Sequence, residues 1–157
     1  MLRIDYKDLL KLETEIENFS HKHNISAENI LELIKKQRVP TTIFNDKLSP
    51  LETIVKYLKE EQKKTLTEIS KILNKKVSII WLAYNNSKKK YPQRLQETHG
   101  IYDIPLDKLY SKKLSLLERI CVYLKDHYSL NYHKIGLLLK RDERTIWTAY
   151  NRAKKRT

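Results

Sequence analysis

This 157-residue chain has only two glycines and four prolines. Tight β-hairpins draw on Gly and Pro, so a hairpin-rich fold is disfavoured from the outset. One cysteine, Cys121, excludes an intramolecular disulfide; beside Ile120 on an apolar stripe, it reads as a small core residue rather than a reactive thiol. No apolar run is long enough to span a bilayer, and the N-terminus lacks the apolar stretch and cleavage site of a secretory signal. A cytoplasmic protein with no membrane contact is the expectation.

Catalytic sets are missing as well. There is no Gly-rich phosphate loop, and the five histidines are scattered: His21 and His23 flank Lys22, His99 falls in a linker, and His127 and His133 sit near a turn. Without a third nearby ligand, His-x-His is weak metal evidence. Asp142-Glu143 is better explained as a helix cap and first-turn acid than as an acid/base pair. We therefore expect no metal, no cofactor and no enzymatic activity.

What the chain has in abundance is Leu, Ile, Lys and Glu, which points to an all-α fold. It also has a net charge of +13, unevenly placed. Residues 1–37 carry six basic and seven acidic side chains, whereas 38–92 carry twelve against five and 101–157 thirteen against six. The cationic excess belongs to the last three quarters of the chain.

Those cationic regions are copies of one another. Leu48 to Tyr91 aligns without a gap onto Leu114 to Thr157, with 17 of 44 residues identical, where unrelated stretches would match at about two or three, so the chain contains a duplication. Each copy opens on a proline-led piece, Val39-Pro40-Thr41-Thr42-Ile43-Phe44 or Ile104-Pro105-Leu106-Asp107-Lys108-Leu109-Tyr110, in which Pro is pre-set for a short helix. Next comes a helix capped by Ser49 or Ser115 with Glu52 or Glu118 three residues on, burying Leu51, Ile54, Val55 and Leu58 or Leu117, Ile120, Cys121 and Leu124. A short helix follows, capped by Thr65 with Glu68, or by Asn131. Only Asn74-Lys75-Lys76 or Lys140-Arg141-Asp142 separates it from a final basic helix, and two helices joined by so short a turn define a helix-turn-helix.

The expected architecture is thus two tandem trihelical helix-turn-helix units, 38–92 and 104–157, joined by a linker over 93–103, with Pro92 just before it and Gly100 within it as breakers. Ahead of them, Leu2, Leu9, Leu12, Ile16 and Phe19 form one stripe of a helix ending near Phe19, and Ser26 caps a second helix running to about Gln37, with Ile25 and Ile30 spaced as a hydrophobic staple. This N-terminal hairpin, 1–37, either packs onto the first repeat or, by its short heptad pattern, forms a homodimer.

At about 100° per residue, the last helix of the second copy turns Ile146, Ala149, Tyr150 and Ala153 inward. Arg144, Thr145, Thr148, Asn151 and Arg152 face the other way, and these residue types reach base edges in a major groove. Ser78, Asn85 and Asn86 are the corresponding candidates of the first copy. Lys75, Lys76, Lys88, Lys89, Lys90, Lys140, Arg141, Lys154, Lys155 and Arg156 are candidates for phosphates. Trp81 and Trp147, at the edge of the inward arc, are expected to cap the core, and stacking on a base is the sharper alternative.

The segment KIGLLLKRDERTIWTAYNRAKKR resembles the helix-turn-helix of region four of bacterial primary sigma factors and related transcription regulators. Ile135, Gly136, Leu139, Asp142, Thr145 and Ile146 fall on that pattern's apolar, small, apolar, cap, Thr and apolar places, and Arg152-Ala153 on its frequent Arg-Ala pair. The resemblance covers about 40 residues per copy and implies a unit whose last helix enters the major groove of duplex DNA, and so a transcription regulator. This chain departs from the pattern at the turn, where the usual Gly is Asn74 or Lys140 and the following apolar residue is Lys75 or Arg141. The first copy further has Lys76 at the cap and Ile79 and Leu82 on the outward face. Those apolar residues suggest that it has partly traded base reading for backbone binding or for contact with RNA polymerase or another protein. The competing expectations are an RNA-binding or RNA-polymerase-associated adaptor and a protein-interaction module.

Overall fold

The structure, a computed structural model, describes residues 4–98 and 100–157; Leu2 and His99 lie outside the described residues. Contacts divide the chain into two units, Met1–Gln37 and Arg38–Thr157. It is mostly helical, with a single two-stranded sheet among the described residues.

The first unit is a helical hairpin. Helix α1, Tyr6–His23, starts at Asp5, whose carboxylate accepts from the Lys7 N–H, and stops at Asn24 in the left-handed conformation. It runs a turn beyond Phe19 because Asn24 is the first residue that readily adopts positive φ and so ends the helix. Helix α2, Ala27–Lys36, is capped by Ser26 as expected. Helix α1 has no buried residue and α2 has one, Ile30. Leu9, Leu12, Phe19, Leu31 and Ile34 are each at least 47% exposed, so the hairpin does not bury its apolar stripe within itself.

The second unit holds both repeats. Strand β1, Arg38–Pro40, leads through a 3-10 turn, Thr41–Ile43, to α3, Pro50–Glu60, α4, Leu66–Leu73, and α5, Val77–Lys90. Strand β2, Asp103–Pro105, leads likewise through a 3-10 turn, Leu106–Leu109, to α6, Leu116–Tyr128, α7, Tyr132–Leu139, and α8, Glu143–Arg156. The caps form where the sequence put them. Ser49 with Glu52, Thr65 with Glu68 and Ser115 with Glu118 make reciprocal capping boxes, while Asn131 and Asp142 cap α7 and α8. Each box satisfies two backbone N–H groups that the helix itself cannot, which makes these starts sharp.

The proline-led pieces each hold a short helix, as expected, but it is 3-10 and begins one residue after the proline: Pro40 and Pro105 themselves hold extended ψ values of 140° and 141°, close a three-residue strand, and keep the residue before them out of the helical region. Residues 93–103, expected as a linker, are tied to the repeats they join. Leu95 is buried, Arg94 makes two hydrogen bonds to Glu61 (3.0 and 2.8 Å), and the Thr41 N–H and hydroxyl both donate to the Tyr102 carbonyl (3.1 and 2.9 Å).

The repeats share one core. Val39, Ile54, Leu58, Ile69 and Ile80 of the first belong to the same buried cluster as Ile104, Ile120, Leu124, Ile135 and Ile146 of the second. The strands pair antiparallel, Val39 opposite Ile104, and α3 packs on α6. The 3-10 turn of each repeat packs on the short helix of the other, Thr41–Ile43 on α7 and Leu106–Leu109 on α4. Both tight turns carry a residue in the left-handed region, Asn74 at φ 51° and Lys140 at φ 54°.

Candidate nucleic-acid interface

Helix α8 is held from both sides of its start. The Asp142 carboxylate accepts from the Arg144 N–H at 2.8 Å, and the preceding Arg141 N–H donates to the Gly136 carbonyl at 2.9 Å, closing the tight turn. Ile146, Ala149 and Ala153 are buried, which fixes the helix's rotation; Tyr150 is half-buried, and its hydroxyl donates to Asp126 at 2.8 Å. With that face committed, Arg144, Thr145, Arg152, Lys154 and Lys155 are exposed, and Thr148 and Asn151 half-buried. Arg144, Thr145, Thr148 and Arg152 line a shallow groove whose far wall is the start of α6, at Ser115 and Leu117. The Asn151 side-chain amide donates to the Trp147 carbonyl of its own helix at 2.9 Å, so contact with a base would require it to swing away.

Helix α5 presents a different surface from the same frame. Lys76, at its cap position, makes no side-chain cap bond. Ser78 is exposed, but so are Val77, Ile79 and Leu82, while Asn85 and Asn86 are half-buried and the Asn85 amide donates to the Trp81 carbonyl at 3.1 Å. Ser78, Ile79 and Leu82 of α5 thus stand at the positions that Arg144, Thr145 and Thr148 hold in α8.

The basic side chains expected on phosphates divide by what already holds them. Lys90 pairs with Glu52 at 2.8 Å, Lys154 with Asp126 at 2.6 Å and Arg156 with Glu118 at 3.1 Å. Lys88 lies over the Tyr84 ring, 4.6 Å from its centroid. Arg141 is occupied differently: its guanidinium donates to the carbonyls of Asn45 (3.0 Å) and Leu48, in the loop of the other repeat. It is a tie between repeats, and its charge is half-buried there. Lys76, Lys89, Lys140 and Lys155 are exposed and make no ion pair among the described residues; Lys75 makes none either, but is half-buried.

These pairs leave an electrostatic record. Burial pushes the Glu52 carboxyl up, but hydrogen bonds from the Lys90 ammonium and the Ser49 N–H outweigh it and hold the group below its ordinary range. At Asp126 burial is likewise outweighed, there by Lys154 and the Tyr150 hydroxyl. Lys154 is raised in return by its hydrogen bond to Asp126.

Trp81 and Trp147 depart from expectation. They are 56% and 54% exposed, and neither caps the core. Each follows the fully buried Ile80 or Ile146 in sequence, yet one residue is about 100° of rotation, enough to carry the indole off the packed arc. Applied strictly, the helical angle would have found both.

Among the described residues no group of three or more His, Cys, Asp and Glu side chains could hold a metal ion, and no helix is long and apolar enough to cross a membrane. No protein family, curated protein or solved structure matches this chain.

Proposed function

We propose that the protein binds double-stranded DNA and regulates transcription, using α4–α5 and α7–α8 as two helix-turn-helix elements, with α8 reading bases in the major groove. The observation that carries this reading is the two-sidedness of α8. Its Ile/Ala side is fixed in the core while Arg144, Thr145, Arg152 and Lys155 stand in solvent on a capped helix. Side chains so held cannot rotate away from the surface they present, and their donors suit guanine edges, thymine methyls and phosphates.

Two further surfaces support protein contacts. Val77, Ile79, Trp81 and Leu82 give α5 an exposed apolar face, which suits RNA polymerase or another protein better than a base pair. The apolar stripe of the hairpin suits a second copy of the chain; deleting 1–37 and weighing the protein in solution tests that directly.

Competition among duplex DNA, duplex RNA and single strands at fixed salt tests the main reading. Duplex DNA should win, because the A-form major groove excludes a recognition helix. With about six phosphate contacts, affinity should fall on the order of a thousandfold between 50 and 200 mM salt. Arg144→Ala should relax sequence preference by about 1 to 3 kcal/mol, whereas Lys155→Ala should weaken all sequences alike. Absence of duplex binding at low ionic strength, or preference for RNA, would end the proposal.

A further inference from the structure

The contacts between the repeats are reciprocal, and reciprocity has a geometric meaning. The Asn74 amide, at the tight turn of the first repeat, donates to the Ser111 carbonyl of the second at 3.1 Å. Arg141, at the tight turn of the second, donates to the Asn45 carbonyl of the first. The acceptor positions 45 and 111 are equivalent under the duplication; the donor Asn74 corresponds to the C-cap Lys140, the residue directly before Arg141, so the two ties match to within one residue of the same tight turn. The antiparallel strands pair at Val39 and Ile104, each the residue before its repeat's opening proline, α3 meets its counterpart α6, and each 3-10 turn meets the other repeat's short helix. A contact set that maps onto itself when the partners are exchanged is the mark of a two-fold axis. Here the axis runs inside a single chain, by the Val39 and Ile104 pair.

From this we infer that one chain grips one duplex as an inverted pair of half-sites, with α5 and α8 on opposite sides of a dyad. The inference rests on the duplex-DNA reading above. A duplex backbone has dyads of its own whatever its sequence, and a two-fold protein binds by aligning its axis with one of them. Modules strung along a flexible linker would instead tend to lie head to tail. The halves are unequal: α8 offers Arg144, Thr145 and Thr148 where α5 offers Ser78, Ile79 and Leu82. The target is therefore an imperfect inverted repeat, one half read through hydrogen bonds and the other held by its phosphates.

Lys89 and Lys155 occupy equivalent positions, both exposed and without an ion pair among the described residues, so they report on the two halves separately. The experiment is hydroxyl-radical cleavage of a duplex selected by the full chain from a random pool. The expected pattern is two protected blocks related by two-fold symmetry between the strands, with Lys89→Ala weakening one block and Lys155→Ala the other. Blocks related by translation along one strand, or a single block, overturn the inference while leaving duplex binding intact. So does loss of both blocks in Lys155→Ala with none in Lys89→Ala, which would mean two chains each using α8. Failure to retain any duplex in the selection at low salt defeats the DNA reading itself.

Discussion

Gly136 lies in α7 with its α-carbon facing the tight turn, and a methyl group built there would stand 2.7 Å from the Arg141 carbonyl oxygen and 3.6 Å from the Glu143 nitrogen. To restore ordinary contact the turn would have to retreat by about 0.7 Å, and it has little freedom to do so. The Arg141 N–H is bonded to the Gly136 carbonyl, and the Arg141 guanidinium is bonded to the opposite repeat. Two effects of Gly136→Ala therefore compete. Helix propensity favours alanine by about 1 kcal/mol, while overpacking against backbone costs about 1 to 3 kcal/mol. Overpacking should win, giving a net loss of about 1 kcal/mol. Urea unfolding checks this through a lowered midpoint at unchanged slope. A gain of about 1 kcal/mol, the value of propensity acting alone, would refute the close approach. At the equivalent position the first repeat has Ser70, whose hydroxyl donates to the Lys75 carbonyl. Gly136→Ser should accordingly lose less than Gly136→Ala, because its hydroxyl recovers a bond to the same oxygen.

Lys140 sits at φ 54°, where a side chain costs roughly 1 to 2 kcal/mol, so Lys140→Gly should raise stability by about 1 kcal/mol and the thermal midpoint by a few degrees. The Glu52 carboxylate accepts from Lys90 and from the Ser49 N–H in its charged form. Since its folded pKa lies below the ordinary 4.5, that stability is present above pH 4.5 and lost as pH falls through the folded value; Glu52→Gln should flatten the acid limb of a stability profile. Cys121 is fully buried and its thiol pKa is pushed up to about 12. A disulfide reagent at pH 8 should leave it unmodified in the folded protein and titrate one thiol per chain in denaturant; fast reaction without denaturant would place it at the surface.

What was legible in the sequence is what is local. Ser49, Thr65, Ser115, Asn131 and Asp142 each announce a helix start within three residues of themselves, and the buried arc of α8 follows from spacing alone. The strands were not legible, because three residues are too few to show a period of two and their pairing joins positions 65 apart. Arg141 read as a phosphate candidate because the two carbonyls that tie it to the other repeat lie more than ninety residues upstream, beyond the reach of any local pattern. The ion pairs of Lys90, Lys154 and Arg156 were not legible for a similar reason, their carboxylates being on other helices. The shared core was hidden because each repeat carries enough apolar residues to suggest a core of its own.

The ties at Asn45, Leu48 and Ser111 all end on main-chain oxygens. Every amino acid supplies such an oxygen, so the bonds themselves do not depend on which side chains the receiving residues carry. A joint built in this way lets the outer faces of α5 and α8 diverge from a common ancestor without loosening the frame that holds them.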